Sequence, residues 1–396
     1  MPDDVIERVL ALADGPVEQV RHRLSDVDAA PLARCALDEL LFRAALIDAP
    51  ERPVTVQIDL GGGGRCLGFA VTMGPEGDEV RSGRADDPDV HFRQDLAEFL
   101  AGLFGPPGLR ADATREVSLV EAPLPEAAGG RPDHGRHEAA RRAAHRLLKA
   151  SSPDERDLDS LAVRFGSDKW CSHWYTPRYR RHFAEYREQR VRLLEIGVGG
   201  FHDPHSGGES LRMWKHYFRR GLVYGLDLYD KSGVEQPRIR TVRGDQSDGA
   251  FLDSLAAGIG PLDIVVDDGS HLSEHVIASF RALFPHVRPG GLYVVEDLQT
   301  SYWTGWNGDN TDPGAPGTAI RYLKDLVDGL HHQDRPDGPD GKAPAAETAG
   351  LERQIAAVHF YHNIVFIEKS VNADQPAPSW LPRETDPREW TRSLPA

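Results

Sequence analysis

The stretch Leu193–Gly200, LLEIGVGG, constrains this chain most. A short apolar run ends in an acid and then breaks into glycines. That pattern predicts a buried parallel strand entering a tight turn, where glycine lets the backbone approach a ligand. Three more apolar runs follow at domain-like spacing: LVYGLDLYD at Leu222–Asp230, LDIVVDDGSH at Leu262–His271 and GLYVVEDLQ at Gly291–Gln299. Each ends in acids. In an open α/β sheet ligands sit at the carboxyl ends of the strands, so those acids collect at one edge. The turn IGVGGF lacks the G-x-G-x-x-G spacing of a dinucleotide site.

A chain of 396 residues is long enough for two domains with separate cores. A net charge of −16 argues against a nucleic-acid partner, since a phosphate backbone requires a Lys/Arg surface. No apolar run approaches the ~18 residues of a membrane helix. The acidic, amphipathic start MPDDVIERVL does not read as a signal peptide. Cys35, Cys66 and Cys171 show neither disulfide nor zinc spacing, which fits a reducing cytoplasm.

Taken in order, Asp4–Leu12 and Val17–Ala49 read as helices, the second carrying Val20, Leu24, Leu32, Leu37, Leu40 and Leu41. Pro50 and Pro53 stop it. VTVQIDLGGGGRCLGFAVTMG then reads as a hairpin across a glycine turn, and DPDVHFRQDLAEFLAGLFG as a helix. That order is loosely similar to sterol-carrier-protein-type lipid-binding domains. It predicts a small α+β auxiliary domain over residues 1–121. Ala122–Pro132 is a Pro/Ala/Gly linker, Arg136–Ala150 a connecting helix, and the segment 122–157 joins the auxiliary domain to an α/β domain over 158–396. Leu158–Phe165 starts that domain with a helix. Gln333–Ala349 reads as a mobile polar loop, Gln354–Lys369 as two antiparallel strands turning at His362–Asn363, and the chain from Pro376 as an extended tail.

Glu195 ends the first strand just before Gly197. It reads as a ligand-holding carboxylate or as a helix cap. Asp227 repeats the pattern one strand on, where an acid takes two ribose hydroxyls. A glycine turn plus a ribose acid, with no phosphate cradle, suits S-adenosylmethionine. Asp245 in GDQSD reads as an acceptor for an adenine amino group, or as an Asx-turn. Asp267, Asp268 and His271 meet Glu296 and Asp297 on neighbouring strand tips. Oxygen donors select a hard divalent cation such as Mg²⁺, and a cation relieves the cost of clustered carboxylates. The competing reading is helix capping. His271 reads as a general base, a metal ligand or a structural residue.

Together LLEIGVGGF, GLDLYD, GDQSD, VVDDGSH and VVEDLQTSYW, with FGSDKW upstream and VHFYHNIVFIEK downstream, resemble the metal-dependent sugar O-methyltransferases of macrolide antibiotic biosynthesis. The resemblance implies a Rossmann-like class I methyltransferase domain behind the smaller α+β domain. It implies S-adenosylmethionine, Mg²⁺, a homo-oligomer (a tetramer) and, as acceptor, a deoxysugar hydroxyl on a glycosylated polyketide. By motif position Asp268, Glu296 and Asp297 are the expected metal ligands and His271 the base. Glu195, Gly197, Asp227, Asp245, Gln246 and Asp267 are the expected cofactor contacts. Lys169 and Tyr175 fall where the family closes a segment over the cofactor, and Tyr302 and Trp303 where it walls the acceptor. The rival readings are a Mg²⁺-dependent methyltransferase or hydroxylase acting on another small natural product, and a non-catalytic binding protein.

Overall fold

The computed structural model describes residues 5–62, 65–106, 109, 111–119, 134–151, 157–170, 172–312, 314–333, 350–371, 378 and 386. The Ala122–Pro132 linker, Cys171, residues 334–349 of the polar loop and most of the tail from Pro376 lie outside these. The chain forms two compact units. The first is Met1–Leu193 with Val198–Gly225 and Tyr229–Arg243, and the second is Leu194–Gly197 with Leu226–Leu228 and Gly244–Ala396.

The first unit opens with helices α1 (Val5–Leu12), α2 (Val17–Leu24) and α3 (Ala29–Ala44). The single helix expected over Val17–Ala49 is therefore two. Pro31 has no N–H, and its ring would clash with the Val27 carbonyl of a continuous helix. The chain restarts at Asp28, whose side chain accepts from the Ala30 N–H. The expected hairpin is present as β1 (Val54–Gly62) and β2 (Arg65–Gly74), followed by β3 (Gly77–Ser82), which sequence reading missed.

The helix expected over DPDVHFRQDLAEFLAGLFG is half strand: β4 (Val90–Asp95) precedes α4 (Leu96–Phe104). In VHFRQD the alternation Val90, Phe92, Gln94 is buried, and β4 pairs parallel to the distant β1. Asp95 then caps α4 by accepting from the Glu98 N–H. With β5 (Glu116–Leu119) this makes a five-stranded sheet in the order β3-β2-β1-β4-β5. Val54, Val56, Ile58 and Leu60 on one face of β1 join α3, α4 and α5 (His134–Ala150) in a single apolar core. Helices α6 (Leu158–Phe165) and α7 (Thr176–Phe183) follow.

The second sheet has seven strands in the order β11-β12-β10-β9-β6-β7-β8. Its elements in chain order are β6 (Arg192–Ile196), α8 (Glu209–Tyr217), β7 (Leu222–Asp227), β8 (Ile239–Arg243), α9 (Gly249–Ile259), β9 (Leu262–Asp267), α10 (Ser273–Leu283), β10 (Val287–Val295), α11 (Ala319–Leu330), β11 (Ile355–Tyr361) and β12 (Ile364–Lys369). β9 and β10 run parallel and are buried along most of their length, as a doubly covered sheet requires. The antiparallel β11–β12 hairpin turns at His362–Asn363 as expected, with Asn363 left-handed at φ 62°. All four acid-tipped strands are thus in one sheet.

Candidate active site

The carboxyl tips of β6, β7, β9 and β10 lie in the second unit. Gly197 sits at φ +91°, and its N–H donates to the Leu226 carbonyl at 2.8 Å. A Cβ there would fall 2.1 Å from the Asp268 carbonyl oxygen, so only glycine fits. The Asp268 N–H in turn donates to the Ile196 carbonyl at 3.0 Å. These bonds set the first strand tip against the other two. Glu195 is fully buried at that tip.

Asp227 ends β7 half-buried, and its carbonyl accepts from the Gly244 N–H at 2.9 Å. This places GDQSD beside the β7 tip. Asp245 is exposed and forms an Asx-turn, accepting from the Ser247 N–H at 2.8 Å and the Ser247 hydroxyl at 2.7 Å. Those bonds hold its carboxyl below the usual range. The following helix is capped by Asp248 instead, which accepts from the Phe251 N–H. Gln246 and Asp267 are buried and bonded to each other, at 2.7 Å from Nε2 to Oδ1. Burial pushes the Asp267 carboxyl up to about 6.

Asp268, His271 and Asp297 bring one ligand atom each to within 4.8 Å of one another. His271 Nε2 is 3.6 Å from Asp297 Oδ2. Both residues are left-handed, His271 at φ 59° and Asp297 at φ 54°. Such backbone costs on the order of 1 kcal/mol or more per residue and persists where the surroundings impose it. Here the Thr300 hydroxyl donates to the His271 carbonyl at 2.9 Å, and the Leu298 N–H to the Asn363 carbonyl at 3.0 Å. The capping alternative for these acids does not hold, because α10 begins at Ser273 with Leu272 as its N-cap residue and no side-chain cap bond. Glu296 is buried beside Asp297, and its N–H donates to the Asp267 carbonyl at 3.0 Å. Its carboxylate is not in the three-residue group.

Tyr302 is half-buried on the short turn after Asp297, and Trp303 is 48% exposed. Trp306, which sequence reading passed over, is 41% exposed with its ring 5.6 Å from that of Trp303. The spacing W-T-G-W was the available signal. Lys169 and Tyr175 belong to the first unit. Both are buried there, and the Lys169 carbonyl accepts from the N–H groups of Tyr175 and Thr176 at 3.1 and 3.2 Å.

The donor chemistry suits a hard divalent cation: two carboxylates and an imidazole converge on a point beside a glycine-lined strand turn. The tip of β7 offers an acid and no phosphate cradle, as a nucleoside ligand without phosphate requires. Fold and site together are those of a Rossmann-like class I methyltransferase with a candidate metal-ligating group at its strand tips.

Residues 6–115 match the family described as MycE methyltransferase N-terminal. The chain is 42% identical to the demethylmacrocin O-methyltransferase of Streptomyces fradiae, over 96% of this chain and 95% of that one. It is 48% identical to the 8-demethyl-8-alpha-L-rhamnosyl tetracenomycin-C 2'-O-methyltransferase of Streptomyces olivaceus, over 76% of each. The crystal structure of the mycinamicin-pathway methyltransferase MycE with Mg, SAH and mycinamycin VI superposes with a TM-score of 0.84 at 38% identity, covering 99% of both chains. The chain belongs to this family of sugar O-methyltransferases of antibiotic biosynthesis.

Proposed function

We propose that this protein transfers a methyl group from S-adenosylmethionine to a hydroxyl of a deoxysugar carried by a polyketide. The convergence of Asp268, His271 and Asp297 within 4.8 Å carries the reading. MycE binds Mg and SAH, and at 38% identity the present chain holds the residue types such a site needs. Asp268 and Asp297, with the adjacent Glu296, would hold Mg²⁺; Glu195, Gly197, Asp227 and Asp245 would hold the cofactor. A bound Mg²⁺ supplies Lewis acidity that lowers the pKa of chelated sugar hydroxyls and fixes the ring.

His271 accepts the hydroxyl proton on Nε2 as the oxygen–methyl bond forms and the methyl–sulfur bond breaks. A neutral imidazole needs no prior deprotonation for this. Gln246 and Asp267, bonded to each other, are assigned to shaping the site beside the cofactor. Lys169 and Tyr175 are assigned to a segment that closes over the cofactor, and Tyr302 and Trp303 to the acceptor wall. The domain boundaries 1–121, 122–157 and 158–396 and a homotetramer complete the proposal. A cytoplasmic setting fits Cys35 and Cys66, which are free thiols. Among the described residues no helix is long and apolar enough to cross a membrane.

The aglycone has two readings. Demethylmacrocin and mycinamicin VI relatives favour a macrolide. The 48% identity to the tetracenomycin enzyme favours a rhamnosyl tetracenomycin-type acceptor. Incubation with labelled S-adenosylmethionine and both acceptor classes, read by product mass and regiochemistry, separates them. Loss of transfer after EDTA treatment, restored by Mg²⁺, is expected. Transfer that survives exhaustive chelation would sink the metal role.

A further inference from the structure

Gln246 is buried in the loop between β8 and α9, yet both ends of its amide are committed to other elements. Nε2 donates to Asp267 Oδ1 at 2.7 Å, and Oε1 accepts from the Ser270 N–H at 2.9 Å. Asp267 is 1% exposed at the end of β9. Its second oxygen accepts from the Ser279 hydroxyl of α10 and, at 3.4 Å, from the Tyr293 hydroxyl of β10. Three elements therefore converge on one carboxylate, and that carboxylate orients Gln246.

Ser270 lies between Asp268 and His271. A Cβ on Gly269 would fall 2.3 Å from Gln246 Oε1 and 2.9 Å from Ile196 Cγ2, so the loop packs directly on the amide. The loop is also held by the Thr300 hydroxyl, which donates to the His271 carbonyl at 2.9 Å. The left-handed His271 backbone needs such a hold. An Asp267 side chain aimed into the interior leaves Asp268 as the acid of this pair within the ligand group.

We infer that Gln246, Asp267 and Ser279 are positioning residues that fix the Asp268–His271 loop in its ligand-presenting form. This rests on the metal reading above. Partners that orient metal ligands typically govern affinity by 10–100-fold.

The test uses the full chain and Mn²⁺ as a spectroscopic probe. Gln246→Met keeps the volume and removes both polar ends. Mn²⁺ affinity by electron paramagnetic resonance is expected to fall about tenfold or more. SAH affinity by calorimetry should stay within about twofold, because both polar ends of the amide are taken by Asp267 and Ser270. In the metal-free protein, deuterium uptake by the peptide spanning Asp268–Leu272 should speed up as Ser270 loses its acceptor. Weakened SAH binding with intact Mn²⁺ affinity would make Gln246 a cofactor contact and overturn the inference. So would unchanged Mn²⁺ affinity in Gln246→Met when Asp297→Asn has lost it. Equal Mn²⁺ binding by the natural chain and Asp297→Asn would instead remove the metal reading itself. Should Gln246→Met fail to fold, Ser279→Ala removes a donor from the far side of Asp267 and is read by the same measurements.

Discussion

Removing the Glu39 carboxylate should destabilise the first unit more than removing any cation around it. Glu39 on α3 is fully buried, and three cations surround it. Arg238 Nε and Nη2 lie 3.1 and 2.5 Å from its oxygens, Arg43 Nε 2.9 Å and Lys215 Nζ 3.6 Å. The neighbouring cations hold the Glu39 carboxyl well below the usual range despite burial. Glu39→Gln leaves the cations facing one another, and breaking a buried pair this way costs about 3–5 kcal/mol. For a unit of this size, at about 2–4 °C per kcal/mol, that corresponds to a Tm drop of roughly 6–20 °C.

Lys215→Met relieves like-charge repulsion and keeps an aliphatic contact with Phe42, over whose ring Nζ sits at 3.4 Å. It should cost under about 1 kcal/mol or stabilise. Burial pushes the Lys215 ammonium down to about 7 from 10.5. Below pH 7 both folded and unfolded chains carry that proton, so it adds no slope. From pH 7 to about 10.5 the unfolded chain binds more protons, so stability rises with pH. Lys215→Met should flatten that rise. Denaturant melts of both variants across pH 6–9 measure these effects. Equal destabilisation by the two substitutions would falsify the charge-imbalance argument.

Three further outcomes are expected. Asp227→Ala should weaken SAH binding by on the order of 1.5–3 kcal/mol, with Mn²⁺ binding intact; unchanged SAH affinity in calorimetry would contradict the ribose role. His271→Ala should lower kcat by about 10²-fold or more while SAH still binds; full rescue by added Mg²⁺ would make it a ligand and not the base. Gly197→Ala, whose Cβ would meet the Asp268 carbonyl at 2.1 Å, should lose SAH and Mn²⁺ binding together, and retention of both would show that the strand tips can move apart.

Local chemistry was legible in the chain because it is written in short runs. The four acid-tipped strands, the hairpin turning at His362–Asn363 and the helix α6 all announce themselves within a dozen residues. The acids of the site were legible for the same reason, since a strand tip exposes whatever follows the apolar run. What failed locally was long-range pairing. VHFRQD reads as the lead into a helix until β1, far off in sequence, supplies a parallel partner. The break in Val17–Ala49 was signalled by Pro31 and Asp28 but masked by apolar residues that keep helical spacing across it.

The sequence by itself determined which residue types stand at the strand ends, and therefore the class of chemistry open to the chain. Only the tertiary structure decided the division of labour among them. Asp267 and Asp268 are adjacent acids on one tip, and the run LDIVVDDGSH does not say which turns inward. Ser279, Tyr293 and Gln246, from three other elements, claim Asp267 for the interior, while Asp268 joins His271 and Asp297. Likewise nothing near Glu39 in sequence announces Lys215 or Arg238 as its partners; they are supplied by α8 and by the turn before β8. A carboxylate's role follows from which donors reach it, and those donors are gathered by folding, not by adjacency.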